Sequence, residues 1–155
     1  MDEKYKNILG RIPDILSSDD DLEKNFEKSV LEFKEILDFD NAYICYLNAG
    51  CANIQFRMTY SESAPVAQDE SVINFPEILK TKLYENSVFV FDEASKFFKA
   101  LNLQKTDSCF MLAKLNIRET VFGFMLVTRH KSLPFTQDDE ELAKAFSALV
   151  SYSIK

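Results

Sequence analysis

Cysteine is the residue of this 155-residue chain with the widest range of chemistry, and it occurs three times, at Cys45, Cys51 and Cys109. A thiolate can reduce a sulfoxide when a second, resolving thiol lies within bonding reach. Cys45 and Cys51 lie on one predicted hairpin and could approach each other, whereas Cys109 opens a long apolar stretch in the string TDSCF (residues 106–110). Three thiols cannot all pair within one chain, and a reducing compartment would keep them as thiols.

The remaining groups that could bind a metal or a cofactor are one histidine and one acidic run. His130 is predicted in a solvated loop rather than in a pocket, where a haem ligand would have to lie. The cysteines lack the CxxC spacing of a zinc site, and only one histidine is present to join them. The run TQDDEE (residues 136–141) is predicted to begin a helix, where acidic side chains are favoured, and not to bind a metal.

Hydrophobic periodicity predicts helices that alternate with strands. Apolar residues recur at steps of three and four in the expected helices, and strand-forming residues alternate in the second strand of the first hairpin. Pro13 should kink or divide the first helix, and Thr136 should cap the last one. The predicted elements are a helix over 2–16, a helix from 22 to about 38, a hairpin over 41–60, a loop over 61–72, a helix from about 76 to 84, a strand over 87–91, a short helix over 92–101, strands over 108–115 and 120–128, and a helix from 137 to the chain end. This order predicts an α+β fold whose antiparallel sheet has helices on one face and loops on the other.

The amino-acid composition limits which classes of function this chain can have. Hydrophobic residues make up 46% of the chain and charged residues 28%, as in ordinary globular domains of this length. The net charge of −7 and the scattered basic residues disfavour nucleic-acid binding. No apolar run approaches the roughly 20 residues that span a bilayer, and the charged N-terminus does not resemble a secretory signal. We therefore expect a cytoplasmic protein that contacts neither membrane nor nucleic acid.

The C-terminal third of the chain is similar to the GAF domain, a sensory family related to PAS domains. The segment SCFMLAKLNIRETVFGFMLVTRHKSLPFTQDDEELAKAFSALVSYSI resembles the family's core strand, hairpin, turn and final helix, with Gly123 at the family's glycine. Upstream, NSVFVFDEASKF resembles the strand and aspartate that precede the family's last lid helix. The sequence departs from the family at Lys114, where proline is usual, at Glu119, where a turn glycine is usual, and over residues 61–85, which contain no glycine.

The resemblance implies one GAF-like domain over residues 1–155, with a helical lead-in (1–18) and a core (19–155). It implies a central antiparallel sheet with the N- and C-terminal helices on one face. On the other face, lid segments at about 71–84 and 92–101 would enclose a small-molecule pocket. The sequence does not identify the ligand or any cofactor. The implied pocket residues are Tyr60, Phe75, Asp92, Phe98, Cys109 and Met111.

Three more specific motifs of this fold match the sequence only in part. TDSCF resembles the second-cysteine motif of bilin-binding members, but it lies at the start of the core strand, and neither Cys45 nor Cys51 is followed by histidine. FDE (residues 91–93) is similar to part of the cyclic-nucleotide motif, without its preceding Asn-Lys element. The free methionine sulfoxide reductase shares the fold, but its cysteine-bearing segments do not match those here. We therefore expect core cysteines and no enzymatic activity.

The final helix is the feature that suggests an interaction surface. Its apolar arc extends beyond Leu142, Phe146 and Leu149, so a homodimer through the first and last helices is expected alongside a wider core contact. The additional apolar residues are Ala145, Ala148, Val150, Tyr152 and Ile154.

The resulting prediction is a sensory or regulatory domain that binds a small-molecule effector. It would signal through its terminal helices to a partner, or to an output domain joined after Lys155 if the chain is a fragment. The alternative is a ligand-free dimerisation module with a filled pocket, which the Phe-rich composition and the glycine-free lid favour. The reductase is the third interpretation.

Overall fold

The computed structural model describes residues 3–18, 21–47, 53–61, 71–74, 77–92, 108–117, 120–130 and 132–153. Within these ranges the chain forms helices and strands in the mixed order that an α+β fold requires. The elements are α1 (Glu3–Leu16), α2 (Leu22–Phe33), β1 (Asn41–Leu47), β2 (Asn53–Ser61), β3 (Ser71–Asn74), α3 (Glu77–Glu85), β4 (Val88–Asp92), β5 (Ser108–Ile117), β6 (Thr120–His130) and α4 (Gln137–Ser153). No helix among these described elements has the length and apolar character that a bilayer crossing requires.

The six strands form one antiparallel sheet in the order β3-β2-β1-β6-β5-β4. Two hairpins, β1–β2 and β5–β6, meet through the pairing of β1 with β6, which aligns Ile44 with Met125. Both hairpins were predicted from the sequence, and the structure confirms them. Because strand residues alternate between the two faces, this pairing also fixes which side chains share a face.

One face of the sheet packs against α2 and α4, with α1 lying against these two helices, and we call it the helix face. Its rows are Ala42–Val127–Met111 and Ile44–Met125–Ala113, read across β1, β6 and β5. Aromatic rings hold the helices together over these rows, since Phe33 of α2 stacks on Phe146 of α4 with ring centroids 4.5 Å apart. The helix residues buried in this core are Leu9, Ile12, Leu16, Phe26, Val30, Phe33, Leu142, Ala143, Phe146 and Val150. The predicted position of the terminal helices on one sheet face is confirmed.

Helix α4 is also fastened to β5 by two serine hydroxyls one turn apart. The Ser147 hydroxyl donates to the Lys114 carbonyl oxygen, and the Asn116 N–H donates to the Ser151 oxygen at 2.9 Å. The helix begins as the sequence predicted. Asp139 N–H donates to Thr136 Oγ1 at 3.2 Å, and Thr136 N–H donates to Asp139 Oδ2 at 2.8 Å, which forms a capping box.

The element predictions failed where tertiary pairing overrides the local pattern. Residues 71–74 were expected partly as loop and partly as lid, but they form β3 at the edge of the sheet through hydrogen bonds to β2. A four-residue segment carries too little local pattern to predict such a pairing. Helix α2 ends at Phe33 rather than near Asp38, in a turn where Ile36 and Leu37 N–H groups donate to the Phe33 carbonyl. Helix α1 runs through Pro13 without division, so of the two predicted effects of this proline only the division is wrong. The helix predicted over 92–101 lies outside the described residues from position 93 onward.

Gly123 of β6 lies at a close approach between the backbones of β1 and β6. A Cβ atom built on Gly123 would overlap the Cys45 carbonyl oxygen and lie 3.1 Å from the Cys45 carbonyl carbon. These are backbone atoms of the paired strand, so a side chain here cannot be accommodated by rotation of a neighbour. The sequence therefore needs glycine at this position to close the central strand pair.

We predict that Gly123→Ala lowers the free energy of unfolding by roughly 1–3 kcal/mol, because the added methyl pushes β1 away from β6. Gly10→Ala is the matched control. Gly10 is exposed on α1, and a Cβ added there would have nothing within 4 Å, so alanine should raise stability by roughly 0.5–1 kcal/mol. Urea unfolding followed by circular dichroism measures both, and equal effects of the two substitutions would contradict the close-approach argument.

Candidate functional site

The six residues predicted to line a pocket do not form one described cluster. Tyr60 lies in β2, paired with Ala42, and Asp92 ends β4, paired with Cys109. The side chains of Tyr60 and Asp92, and all of Phe75 and Phe98, lie outside what the structure describes. Cys109 and Met111 are fully described. A ligand-binding role for the set therefore remains a prediction.

Cys109 and Met111 lie on the helix face, whereas the pocket was expected on the opposite face. Met111 is 1% exposed and belongs to the core formed with the terminal helices. Cys109 has the same parity two residues earlier, and its sulfur lies 3.4 Å from the carbonyl oxygen of Arg129. The sequence left open which face these two side chains occupy, because the apolar run of β5 has no alternation that reveals its faces, and the structure places both on the helix face.

The opposite side of the sheet, which we call the second face, is rich in aromatic and aliphatic side chains. Phe91 of β4 and Phe110 of β5 stack with centroids 5.0 Å apart and planes 10° apart, and Phe89 lies 6.0 Å from Phe91. The register places the others beside them on β5, β6 and β1. The second face comprises Tyr43, Phe89, Phe91, Phe110, Leu112, Phe124 and Leu126.

The centre of the second face is completely buried. Phe110, Leu112, Phe124 and Leu126 are each 0% exposed. An enclosed cavity large enough for water would leave accessible surface on its walls, so none of these four side chains borders a water-sized cavity. The central strands are thus buried on both faces, which explains why β5 and β6 read as continuous apolar runs.

A polar pair lies at one end of the second face. Asn41 of β1 and Thr128 of β6 are aligned across the strand pair, 2% and 1% exposed, and the Asn41 side-chain N–H donates to Thr128 Oγ1 at 3.2 Å. Tyr43 lies next along the same face, and burial, followed by the nearby Cys45, raises the pKa of its phenol. Tyr43 therefore stays neutral at physiological pH. The face offers an apolar surface with neutral polar groups at its edge.

Arg129, adjacent to Thr128, forms a densely connected polar group. Its guanidinium donates to the carbonyl oxygens of Leu133 (2.6 Å), Asp38 (3.0 Å) and Pro134 (2.9 Å) and to Asp139 Oδ2 (2.7 Å). Its carbon also lies 4.3 Å from the centroid of the Phe135 ring. Arg129 was not predicted from the sequence, because its partners are mostly backbone groups that no side-chain pattern reveals.

Two surface clefts border α4. One, of about 450 Å³, is lined by Arg129 and Asp139, which are already paired with each other, and by the turn that follows β6. The other, of about 240 Å³, lies between α4 and β5 beside Asn116, whose buried side-chain oxygen makes no hydrogen bond. Most polar groups of the first cleft hold the fold together, so we do not assign it a ligand.

The described cysteines are not arranged as a redox pair. Cys45 is on β1 and Cys109 on β5, separated by β6, which places the strands about 10 Å apart. Their side chains lie on opposite faces, since Cys45 aligns with Phe124 and Cys109 with Arg129. Burial raises the pKa of the Cys109 thiol and raises that of Cys45 well above its ordinary value. The separation of the two thiols opposes a disulfide between them, and their raised pKa values oppose formation of the reactive thiolate. Cys51 lies outside the described residues.

Metal ligation finds no support in the described part of the chain. No group of three or more His, Cys, Asp or Glu side chains converges there. His130 ends β6, is exposed, and has Nδ1 2.7 Å from Ser132 Oγ, so it lies in solvent as the sequence predicted.

Comparisons with known proteins agree with this architecture. A family model described as GAF domain matches residues 21–155. No curated protein matches the chain. Among solved structures, the GAF domain of an Acinetobacter phosphoenolpyruvate-protein phosphotransferase is 15% identical, with a TM-score of 0.66 over 99% of this chain and 96% of the other.

Two further structures share the fold. The phycocyanobilin-bound GAF domain of a cyanobacterial phytochrome is 12% identical, with a TM-score of 0.70 over 99% of this chain and 97% of the other. A GAF domain/HD domain protein from Geobacter sulfurreducens is 14% identical, with a TM-score of 0.57 over 97% and 98%. At these identities the likeness establishes the fold alone.

Thiol reactivity tests whether the second face is open in solution. In a Cys51→Ser background, we expect Ellman's reagent to react slowly with Cys109 and not at all with Cys45 until urea unfolds the protein. Both raised pKa values keep the thiols protonated at pH 8, so the reaction should accelerate only as the pH rises further. Cys109→Ser is the control that isolates Cys45. Native reaction of Cys45 as fast as that of Cys109 would show an open second face.

Proposed function

The chain belongs to the GAF domain family, and from this premise we propose that it is a sensory or regulatory domain of a signalling protein. In this proposal a small molecule binds at the second face of the sheet. The terminal helices on the helix face pass the change to a partner or to an output domain. No catalytic step is part of the proposal.

The single observation that supports this function best is that β5 and β6 contribute alternate side chains to two buried layers. Leu112 and Leu126 pack in the second face, while Met111 and Val127, one residue away on the same strands, pack against the helices. A strand that shifts to accommodate a ligand on one side moves the residues of the other side by a similar amount. Packed interiors respond to such shifts by repacking rather than by continuous deformation.

The chemistry of the second face indicates the class of ligand. The stacked Phe91–Phe110 pair and the neighbouring leucines favour a flat, mainly apolar molecule, which aromatic rings bind by offset stacking. Asn41 and Thr128 at the edge would orient one polar end of it. The phycocyanobilin-bound neighbour shows that this fold can hold a small molecule, which supports a ligand here without specifying a bilin.

Signalling by this route requires that the ligand favour one of two helix arrangements. A ligand with equal affinity for both arrangements would shift neither. Opening the packed second face costs free energy, because its side chains must move apart to admit the ligand. The ligand therefore binds the opened arrangement of the domain more tightly than the packed one, and this is the difference in affinity that signalling requires.

A second function, a ligand-free dimerisation module, is favoured by the complete burial of the centre of the second face. A filled face needs no ligand for stability. Exposed apolar side chains on the helices supply a surface, since Tyr152 of α4 is 86% exposed and Leu31 of α2 is 50% exposed. Val150, expected in the exposed arc, is instead buried in the core, so the proposed surface is smaller than the sequence suggested.

We expect native mass spectrometry of the purified protein to show a mass above that of the denatured chain, because a ligand bound at the second face would leave on unfolding. Leu112→Trp, which enlarges a side chain at the buried centre of the second face, should remove the extra mass. Leu31→Trp, an equal enlargement at an exposed site, is the control and should keep it. An unchanged native mass for the wild-type protein would favour the dimerisation module.

The dimerisation module makes a different prediction. The double variant Leu31→Glu with Tyr152→Glu should convert a dimer to a monomer in analytical ultracentrifugation, because each charge would have to be buried in the interface. Leu133→Glu alters a side chain that is 57% exposed in the turn after β6 and serves as the control. A wild-type protein that sediments as a monomer would contradict this second function directly.

A further inference from the structure

Adjacent residues at the end of β6 face opposite sides of the sheet. Thr128 belongs to the second-face side, where its hydroxyl accepts from Asn41 and its carbonyl accepts from the Asp40 N–H at 2.7 Å. Arg129 turns to the helix face, and its side chain is only 9% exposed. One peptide unit therefore connects the polar edge of the second face to a buried cation.

The Arg129 side chain joins three segments that are separate in sequence. Its hydrogen bonds reach the Asp38 carbonyl before β1, the turn over residues 132–135, and Asp139 in the first turn of α4. Four of the five N–H donors of a guanidinium are accounted for by these bonds. The planar guanidinium group can reach all of these acceptors only in one orientation. The ammonium group of a lysine would not reproduce this set of hydrogen bonds.

Asp139 has two roles at the start of α4. Its Oδ2 atom accepts from the Thr136 N–H, which caps the helix, and from Arg129, which anchors it. The Asp139 side chain is 17% exposed, so the carboxylate would be poorly solvated without the guanidinium. The orientation of the first turn of α4 is thus linked to the position of the last residues of β6.

We propose that Arg129 is a positioning residue that couples the state of the second face to the N-terminus of α4. A change at Thr128 moves the adjacent Arg129 backbone, and the guanidinium either keeps its full set of acceptors or exchanges some of them. Because the set is geometrically strict, the response is a switch between two arrangements rather than a graded shift. This inference deepens the proposed function and rests on it for its biological role, but the coupling itself needs no ligand.

The test compares one small change on the second-face side in two backgrounds. Thr128→Val keeps the shape of the side chain and removes its bond to Asn41, and it is made with Arg129 intact and with Arg129→Lys. Amide hydrogen exchange of residues 137–144 is measured by NMR, relative to exchange at Ile44 in β1, which reports global unfolding. With Arg129 intact, we expect Thr128→Val to alter the relative exchange at α4 by about 2- to 30-fold, the range of residues on a coupling path. With Arg129→Lys, the same change should have no relative effect there.

Two controls separate coupling from general loss of stability. Leu112→Val perturbs the second face away from Arg129 and should affect α4 equally in both backgrounds. Asp139→Asn replaces the carboxylate that Arg129 anchors. It should therefore abolish the effect of Thr128→Val on α4, as Arg129→Lys does. It can also replace Arg129→Lys in the test if the lysine variant is unstable.

An effect of Thr128→Val at α4 that is equal in both backgrounds, or that is absent with Arg129 intact, would overturn the proposal. Because no ligand is present, these results are independent of whether the native mass shows one. Failure of the coupling and failure of the proposed binding function are thus distinguishable.

Discussion

The pairing of β1 with β6 is the interaction on which the rest of the structure depends. It joins the two hairpins into one sheet across a long stretch of chain, and it requires glycine at position 123, where the Cys45 carbonyl leaves no room for a side chain. Once this pair is closed, strand parity assigns every neighbouring residue to a face. The helix face, the second face and the position of Arg129 at the end of β6 are all consequences of that register.

The sequence was informative where a local pattern has a local cause. Thr136 and the acidic residues after it form the predicted cap of α4, and the β5–β6 hairpin follows the predicted boundaries within two residues. The faces of β5 could not be read, because SCFMLAKL is apolar at nearly every position and a strand buried on both sides shows no alternation. Phe110 and Leu112 were therefore missed as second-face residues, while their neighbours were chosen in their place. Arg129 was missed for another reason, since one of its acceptors lies 91 residues away in the chain.

The two buried layers of side chains, one on each face of the sheet, have opposite consequences for function. Because both layers include residues of β5 and β6, a ligand on the second face is linked mechanically to the terminal helices, as a sensory domain needs. Their tight packing means that the link operates only if the second face can open at an acceptable cost. A domain whose second face never opens keeps the same fold and serves as a scaffold for dimerisation. Arg129 matters to the first function more than to the second, because it connects the polar edge of that face to the start of α4.

The central claim is that the second face admits an apolar molecule and that its occupation is felt at α4. The most direct measurement is a methyl NMR titration of the isotopically labelled protein with indole, a flat apolar probe. We expect saturable shifts of the Leu112 and Leu126 methyl groups together with shifts of Leu142 on α4, all following one binding curve. Shifts that never saturate, or second-face shifts without any response at Leu142, would contradict the claim.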